Sequence, residues 1–479
     1  MRNISVLSIA LAGLLAGCTT EPPVAMKPEE LPKAFTAPQV QATTQEISTD
    51  WWKSFSSSEL DDMVSAAAGN NLDIAAAVAR VQQAQAQTGE AWANLFPNVS
   101  LDASAKRQGS TAISYNTFGL SGAASYELDF WGLTQDNIRA ARESARAAIY
   151  ARDVEILTTT ADMANTYLAV LALRQRLTIA KQNIDAAKQV LAITVAKYQN
   201  GTLSNLELAQ QQAQLASQEA QIPALEEQER EQRYALAILL GRAPEGFDVK
   251  ATSLEGIVTP PVAPGMPVSL LQRRPDIAEA EASLLSAHAN VDAARAAFLP
   301  AIGLTGQGGY SSPQLASLVN PSSLAWTIGA SLVQTIFDGG KLSSQSDYAK
   351  AKEAELVADY RKTVLSALSD VETELGSVSS YADQERFTAD EVKNAAEAFR
   401  ISELQYREGI GDPLAVLQTE QTLFSSEDTL VQIKLARLEA GIGLYRALGG
   451  GWTVAADKDE PTRNEFMPLP LPSDVLSMK

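Results

Sequence analysis

Val99-Ser100-Leu101-Asp102-Ala103-Ser104-Ala105-Lys106 places an apolar side chain at every odd position and a polar or charged one at every even position. Successive side chains of a strand point to opposite faces, so this alternation predicts a strand with one apolar and one polar face. Phe118, Leu120, Ala124, Tyr126 and Leu128 alternate in the same way with Ser121, Ser125, Glu127 and Asp129. The second half of the chain has two more such segments. Ile302, Leu304 and Tyr310 alternate with Thr305 and Gln307, and Trp326, Ile328, Ala330 and Leu332 alternate with Thr327, Gly329 and Ser331. Four strands of about ten residues are therefore expected, in hairpins spanning about 99–129 and 301–337, with the length and dyad period of membrane-barrel strands. Four strands cannot close a barrel, and the smallest barrels have about eight. An open edge in lipid strands N–H and C=O groups at several kcal/mol each, so strands in a membrane would need other subunits to close the sheet. A soluble sheet with one solvated face is the alternative that alternation alone leaves open.

The strands belong to a duplicated unit. Asn71-Leu72-Asp73-Ile74-Ala75 recurs as Arg274-Pro275-Asp276-Ile277-Ala278, an offset of 203 from Asp73 to Asp276, and Leu95-Phe96-Pro97-Asn98-Val99 recurs as Phe298-Leu299-Pro300-Ala301-Ile302. Further on, Lys197-Tyr198-Gln199-Asn200-Gly201 matches Gln405-Tyr406-Arg407-Glu408-Gly409 at an offset of 208, which predicts a longer loop in the second copy. A repeat of this size is a duplicated half rather than a solenoid unit. Each half is expected to begin with a helix, continuous from Ser58 to Phe96 in the first and ended by Pro97. After each strand pair a coiled-coil seam follows: Leu157, Ala161, Ala164, Leu168 and Leu171 step by four and three, as do Val364, Leu368, Val371, Leu375 and Val378. The spacing predicts helices over about 134–199 and 341–407, each on the order of 100 Å long, and a helix returning from each tip to Gly241 or Gly449. The expected organisation is a first repeat at 58–241, a linker at 242–265, a second repeat at 266–449 and a tail at 450–479.

Composition narrows the chemistry. The 38 basic against 57 acidic residues leave a net charge of −19, which argues against nucleic acid as a partner. One cysteine and one histidine exclude an internal disulfide and a Cys/His zinc site, and no metal site is expected. Met1-Arg2-Asn3 followed by the apolar run Ile4 to Leu15 is a signal peptide, too short to span a bilayer. It closes on Leu15-Ala16-Gly17-Cys18, the pattern of a bacterial lipobox. Cys18 is thus the expected lipid-attachment residue, carrying a diacylglycerol and an N-acyl chain, with no other cofactor. Residues 18–57, rich in Pro, Glu, Thr and Gln, read as an extended tether.

At this point the chain closely resembles the TolC/OprM-type outer-membrane efflux factors, the lipoprotein branch in particular. The resemblance rests on Trp51-Trp52-Lys53-Ser54-Phe55, Ser125-Tyr126-Glu127-Leu128-Asp129-Phe130-Trp131-Gly132, Arg273-Arg274-Pro275-Asp276-Ile277, Ala294-Arg295-Ala296-Ala297-Phe298-Leu299-Pro300, Ile336-Phe337-Asp338-Gly339-Gly340 and Leu444-Tyr445-Arg446-Ala447-Leu448-Gly449-Gly450. It implies a mainly α protein with a membrane β-barrel part. Three copies of four strands would form a twelve-stranded barrel, above a periplasmic tunnel of coiled-coil α-hairpins. It also implies a homotrimer in outer-membrane lipid that passively conducts drugs or other toxic small molecules, with a periplasmic adaptor and an inner-membrane transporter, expected to be proton-driven, as partners.

The resemblance places a gate where the hairpins converge, at Tyr406 through about Gln418. Tyr406 matches a tyrosine that ties the closed tip, and Leu414 falls where some members carry an apolar ring. Ala415 and Gln418 stand where TolC-like members have aspartates, and Asp412 falls one residue later than the gate aspartate of OprM-like members. Asp412 equally suits an N-cap with Pro413 at the first helical position. Gly201, Thr202, Leu203, Gly409 and Ile410 at the hairpin tips are the implied adaptor contacts. His288 reads as an ordinary packed or surface histidine, Gly303, Gly306, Gly308 and Gly309 as barrel-strand glycines, and Asp61-Asp62 as a solvated face. No residue set combines a nucleophile, a base and an orienting group, so no catalytic residues and no enzyme are expected. An exit duct for secreted polypeptides and a lipid-anchored coiled-coil scaffold are the competing readings.

Overall fold

A computed structural model describes residues 31–37, 47–111, 113–262 and 264–453, so Cys18 and its lipobox lie outside the described residues. Helix α1 (Ser58–Asn70) and helix α2 (Leu72–Ala93) stand where one helix was expected. Asn71 breaks the run because its side chain does what a helix interior cannot use: Oδ1 accepts from the N–H groups of Asp73 and Ile74 at 2.8 and 3.0 Å and caps α2. Its Nδ2 donates to the carbonyl of Leu239 at 2.9 Å. The second half breaks at the equivalent place, between the single turn α6 (Leu270–Arg273) and α7 (Pro275–Ala296), since Pro275 disfavours helical angles at Arg274. There the Arg274 guanidinium donates to the carbonyl of Ala447 at 3.0 Å. Two unlike side chains thus close the same joint in the two halves.

Strands β1 (Asn98–Gly109), β2 (Ser114–Leu128), β3 (Ala301–Ser312) and β4 (Leu324–Val333) form one antiparallel sheet in chain order, the hairpins of the two halves meeting at β2 and β3. Four residues separate β1 from β2 in sequence, whereas an eleven-residue connection at 313–323 separates β3 from β4, the longer loop that the shift in offset predicts. The second hairpin ends earlier than expected, at Val333, and Ile336 and Phe337 lie beyond it, exposed.

From each hairpin rises one very long helix: α3 (Leu133–Gln199) and α8 (Lys341–Arg407), both of 67 residues. Their first turns are held by Asp129, which accepts from the N–H groups of Thr134 and Gln135, and by Asp338, which accepts from those of Gly340 and Leu342. The returning arm of the second half is one helix, α9 (Pro413–Ala447). That of the first half is two, α4 (Asn205–Glu219) and α5 (Gln221–Leu239), where a single helix was expected. Pro223 accounts for the break, because it has no N–H to offer the Glu219 carbonyl and its ring collides with that turn.

The main core lies where all the arms meet. Tyr167, Leu168, Leu171, Val364, Val371, Leu375 and Ile442 are buried there, and Trp51 stacks on Tyr445 with ring centroids 5.1 Å apart. The described parts of residues 31–55 correct the tether expectation. Leu31, Phe35, Trp51 and Phe55 are buried in this core, and Glu372 of α8 accepts from the N–H groups of Thr36 and Ala37. Proline and threonine suggest a linker, but four well-spaced large apolar side chains are enough to bind it down.

Candidate gate and membrane channel

The register of the sheet aligns the alternation of all four strands. One face carries Leu101, Leu120, Tyr310 and Leu324 with Val99, Phe118, Leu304, Ile328 and Leu332, and the other carries Ser100, Asp102, Ser121, Ser125, Thr305, Gln307 and Thr327. The first face suits hydrocarbon and the second suits water. Gly309 pairs with Ser121 on the polar face, and a Cβ there would overlap the β2 backbone at Leu120 and Ser121, so the two hairpins join at a point that admits only glycine. The outer edges of β1 and β4 pair with no other strand among the described residues, and nine of the ten β4 residues are exposed.

At the other end of the molecule the two tips are built alike. After α3, Thr202 N–H reaches back to the Lys197 carbonyl at 3.0 Å across Gly201, whose φ of +66° requires glycine. After α8, Ile410 N–H reaches the Gln405 carbonyl at 3.0 Å across Gly409 at +82°. Ser204 then caps α4 in a capping box with Glu207, and Asp412 caps α9, its Oδ1 accepting from Leu414 N–H at 2.9 Å with Pro413 following. Asp412 and Gln418 are exposed, Leu414 is 47% exposed and Ile410 81% exposed, while Gly201, Thr202 and Gly409 lie open and Leu203 is half-buried against the tip core.

Tyr406 is not at this surface. It is 1% exposed, within a small core of Val190, Ala395, Phe399, Val416 and Leu423. Its hydroxyl lies 3.1 Å from Thr194 Oγ1, and the Lys197 ammonium sits 3.9 Å from its ring centroid and donates to its carbonyl oxygen. Burial raises the phenol pKa, so it stays a neutral hydrogen-bonding group. Tyr406 therefore ties α3 to α8 within one chain. Thr194 and Lys197 escape the sequence reading, although their i, i+3 spacing puts them on one helix face. Glu420 also escapes it. This carboxylate is fully buried on α9, bound by Gln211 and Gln218 of α4. His288 is packed in the wall, its Nδ1 2.7 Å from Glu353 Oε1, away from both ends of this arrangement.

A two-faced sheet set on a duplicated pair of long α-hairpins defines a channel-forming outer-membrane protein. The chain belongs to the outer membrane efflux protein family, whose profile matches it twice, at residues 63–242 and 266–450. It is 38% identical to the pyoverdine export outer membrane protein OpmQ of Pseudomonas aeruginosa, over 94% of this chain and 97% of that one. It is 36% identical to the OpmQ of Pseudomonas putida, over 96% and 99%. Among solved structures it superposes on the outer-membrane channel OprN with a TM-score of 0.83 at 25% identity, covering 91% of this chain and 99% of that one. The protein is an outer-membrane efflux channel, and the relatives it matches are channels and transport components.

Proposed function

We propose that three copies of this chain close a twelve-stranded barrel and form the exit duct of a tripartite pump. Energised inner-membrane transport delivers the cargo through a periplasmic adaptor, and this protein supplies a passive, gated pore. The observation that carries the reading is the sheet itself: among the described residues both edges are open and its apolar face is continuous, an arrangement that lipid tolerates only when neighbouring copies pair with the edges. The lipobox supports lipidation at Cys18 as a second anchor. The exposed tips around Gly201, Thr202, Leu203, Gly409 and Ile410 are the adaptor contacts. Asp412, Leu414 and Gln418 line the gate, which Tyr406 stiffens from behind.

The two OpmQ relatives, named for pyoverdine export and matched over nearly their whole length, favour pyoverdine or a compound like it as cargo. Expression in a pyoverdine-producing strain that lacks its own outer-membrane duct tests both levels. Restored secretion is expected. Secretion that stays blocked while purified trimers conduct ions in planar bilayers would reject the cargo and keep the duct. A detergent-free soluble monomer would reject the duct.

A further inference from the structure

Glu420 has no solvent exposure, yet it is an acid. Its Oε2 accepts from Gln211 Nε2 and its Oε1 from Gln218 Nε2, both at 3.1 Å, so α4 and α9 meet through one carboxyl group and two amides. Gln211 and Gln218 are one heptad apart and share the stripe that faces α9. The Oε1 of Gln218 is buried and has no hydrogen-bond partner. The same side chain lines a cavity of about 250 Å³ beside the α4–α5 break, together with Asn183, Gln214, Gln221 and Gln421.

Among the described residues no charged group compensates Glu420. On the elements packed around it, Glu207 of α4 is bound to Ser204, Glu219 pairs with Lys188 of α3, Glu403 of α8 pairs with Arg407, and Asp428 of α9 pairs with Arg176 of α3. Glu427, one heptad further along α9, is itself a half-buried acid. Burial raises the pKa of Glu420, and the two amide bonds oppose it only in part.

We propose that Gln211, Glu420 and Gln218 form a proton-operated latch between α4 and α9, about two turns from the hairpin tip. With Glu420 ionised, both amides donate to it and the Gln218 carbonyl oxygen is left without a partner. When the carboxylate takes a proton from solvent, the Gln218 amide turns. Its oxygen accepts the new O–H, and its NH2 group faces the polar cavity. The protonated state is the closed latch. The ionised state holds an uncompensated charge in the packed hairpin and loosens α4 from α9.

The direction in pH follows from the raised pKa. The contribution of Glu420 to α4–α9 docking is complete below the ordinary glutamate value and is lost as pH rises through its raised one. The latch rests on this geometry and is independent of the cargo. Hydrogen exchange of residues 205–219 in the full-length protein, corrected for intrinsic rates, reads it across a pH series from about 4 to about 8. Wild-type protection should fall severalfold with rising pH, while E420Q should stay protected throughout. A flat wild-type profile, or the same slope in E420Q, overturns the proposal. Infrared titration gives a second test. A protonated-carboxyl C=O band should persist above the ordinary glutamate range, and Gln211→Leu should move its midpoint upward by removing a donor to the carboxylate. An absent band or an unmoved midpoint also overturns it.

Discussion

Several single residues in this chain are fixed by what surrounds them. Gly241 and Gly449 end the two returning arms at φ of +64° and +87°, and a Cβ at either would overlap a carbonyl oxygen, of Asn70 or Arg273. Gly409 has a similar φ of +82° but open space around it. Gly449→Ala therefore combines strain with collision and is expected to destabilise by at least about 2 kcal/mol, against about 1 kcal/mol for Gly409→Ala. Thermal unfolding of the two detergent-solubilised variants should separate them, and equal losses would show that the joint at Arg273 yields. At the tip, Tyr406→Phe removes one buried hydroxyl contact with Thr194, worth about 1 kcal/mol. Asp412→Ala removes the cap on α9, worth about 1 kcal/mol. The double variant should raise pore conductance in bilayers if side chains hold the tip shut. Intact trimers with unchanged conductance would place the gate elsewhere.

Among the elements, the long helices are the most legible. Heptad steps through Leu168 and Val371 foretell α3 and α8 to within a residue or so, because such seams are periodic over many turns. The strands are legible for the same reason at period two. The interruptions are harder to read. Asn71 looks like one polar residue in a helical run until its partner, the Leu239 carbonyl far away in sequence, is known. Pro223 is visible in the sequence, but a proline three residues into a segment also fits the first turn of a new helix, and the structure resolves it that way. Pro223→Ala should let α4 and α5 run together, with amide protection rising across residues 219–223. Protection that stays low there would show that packing rather than proline sets the break. At the candidate site, Asp412 and the tip glycines are readable as turn chemistry. Glu420 is not, because an acid on a helix ordinarily marks a solvated face, and only the α4–α9 packing reveals it as buried.

For the whole molecule, the sheet register makes a claim about solvent that neighbouring residues can test. Ile328 and Thr327 are adjacent on β4 and lie on opposite faces, Ile328 paired across from Gly306 and Thr327 from Gln307. If the apolar face meets hydrocarbon and the polar face meets the lumen, an arginine at the two positions has opposite consequences. Ile328→Arg near the bilayer midplane should cost about 2–4 kcal/mol and reduce assembled trimer in the outer membrane. Thr327→Arg should be tolerated for assembly, because its charge stays in water, and should shift the ion selectivity of the pore toward anions. Both are read in one preparation: trimer yield by native mass in mild detergent, corrected for bound detergent, and reversal potential in planar bilayers. Equal yields would remove the lipid-facing assignment. The opposite pattern, with Thr327→Arg lost and Ile328→Arg assembled, would turn the sheet inside out. The expected asymmetry would locate the lumen from two adjacent residues.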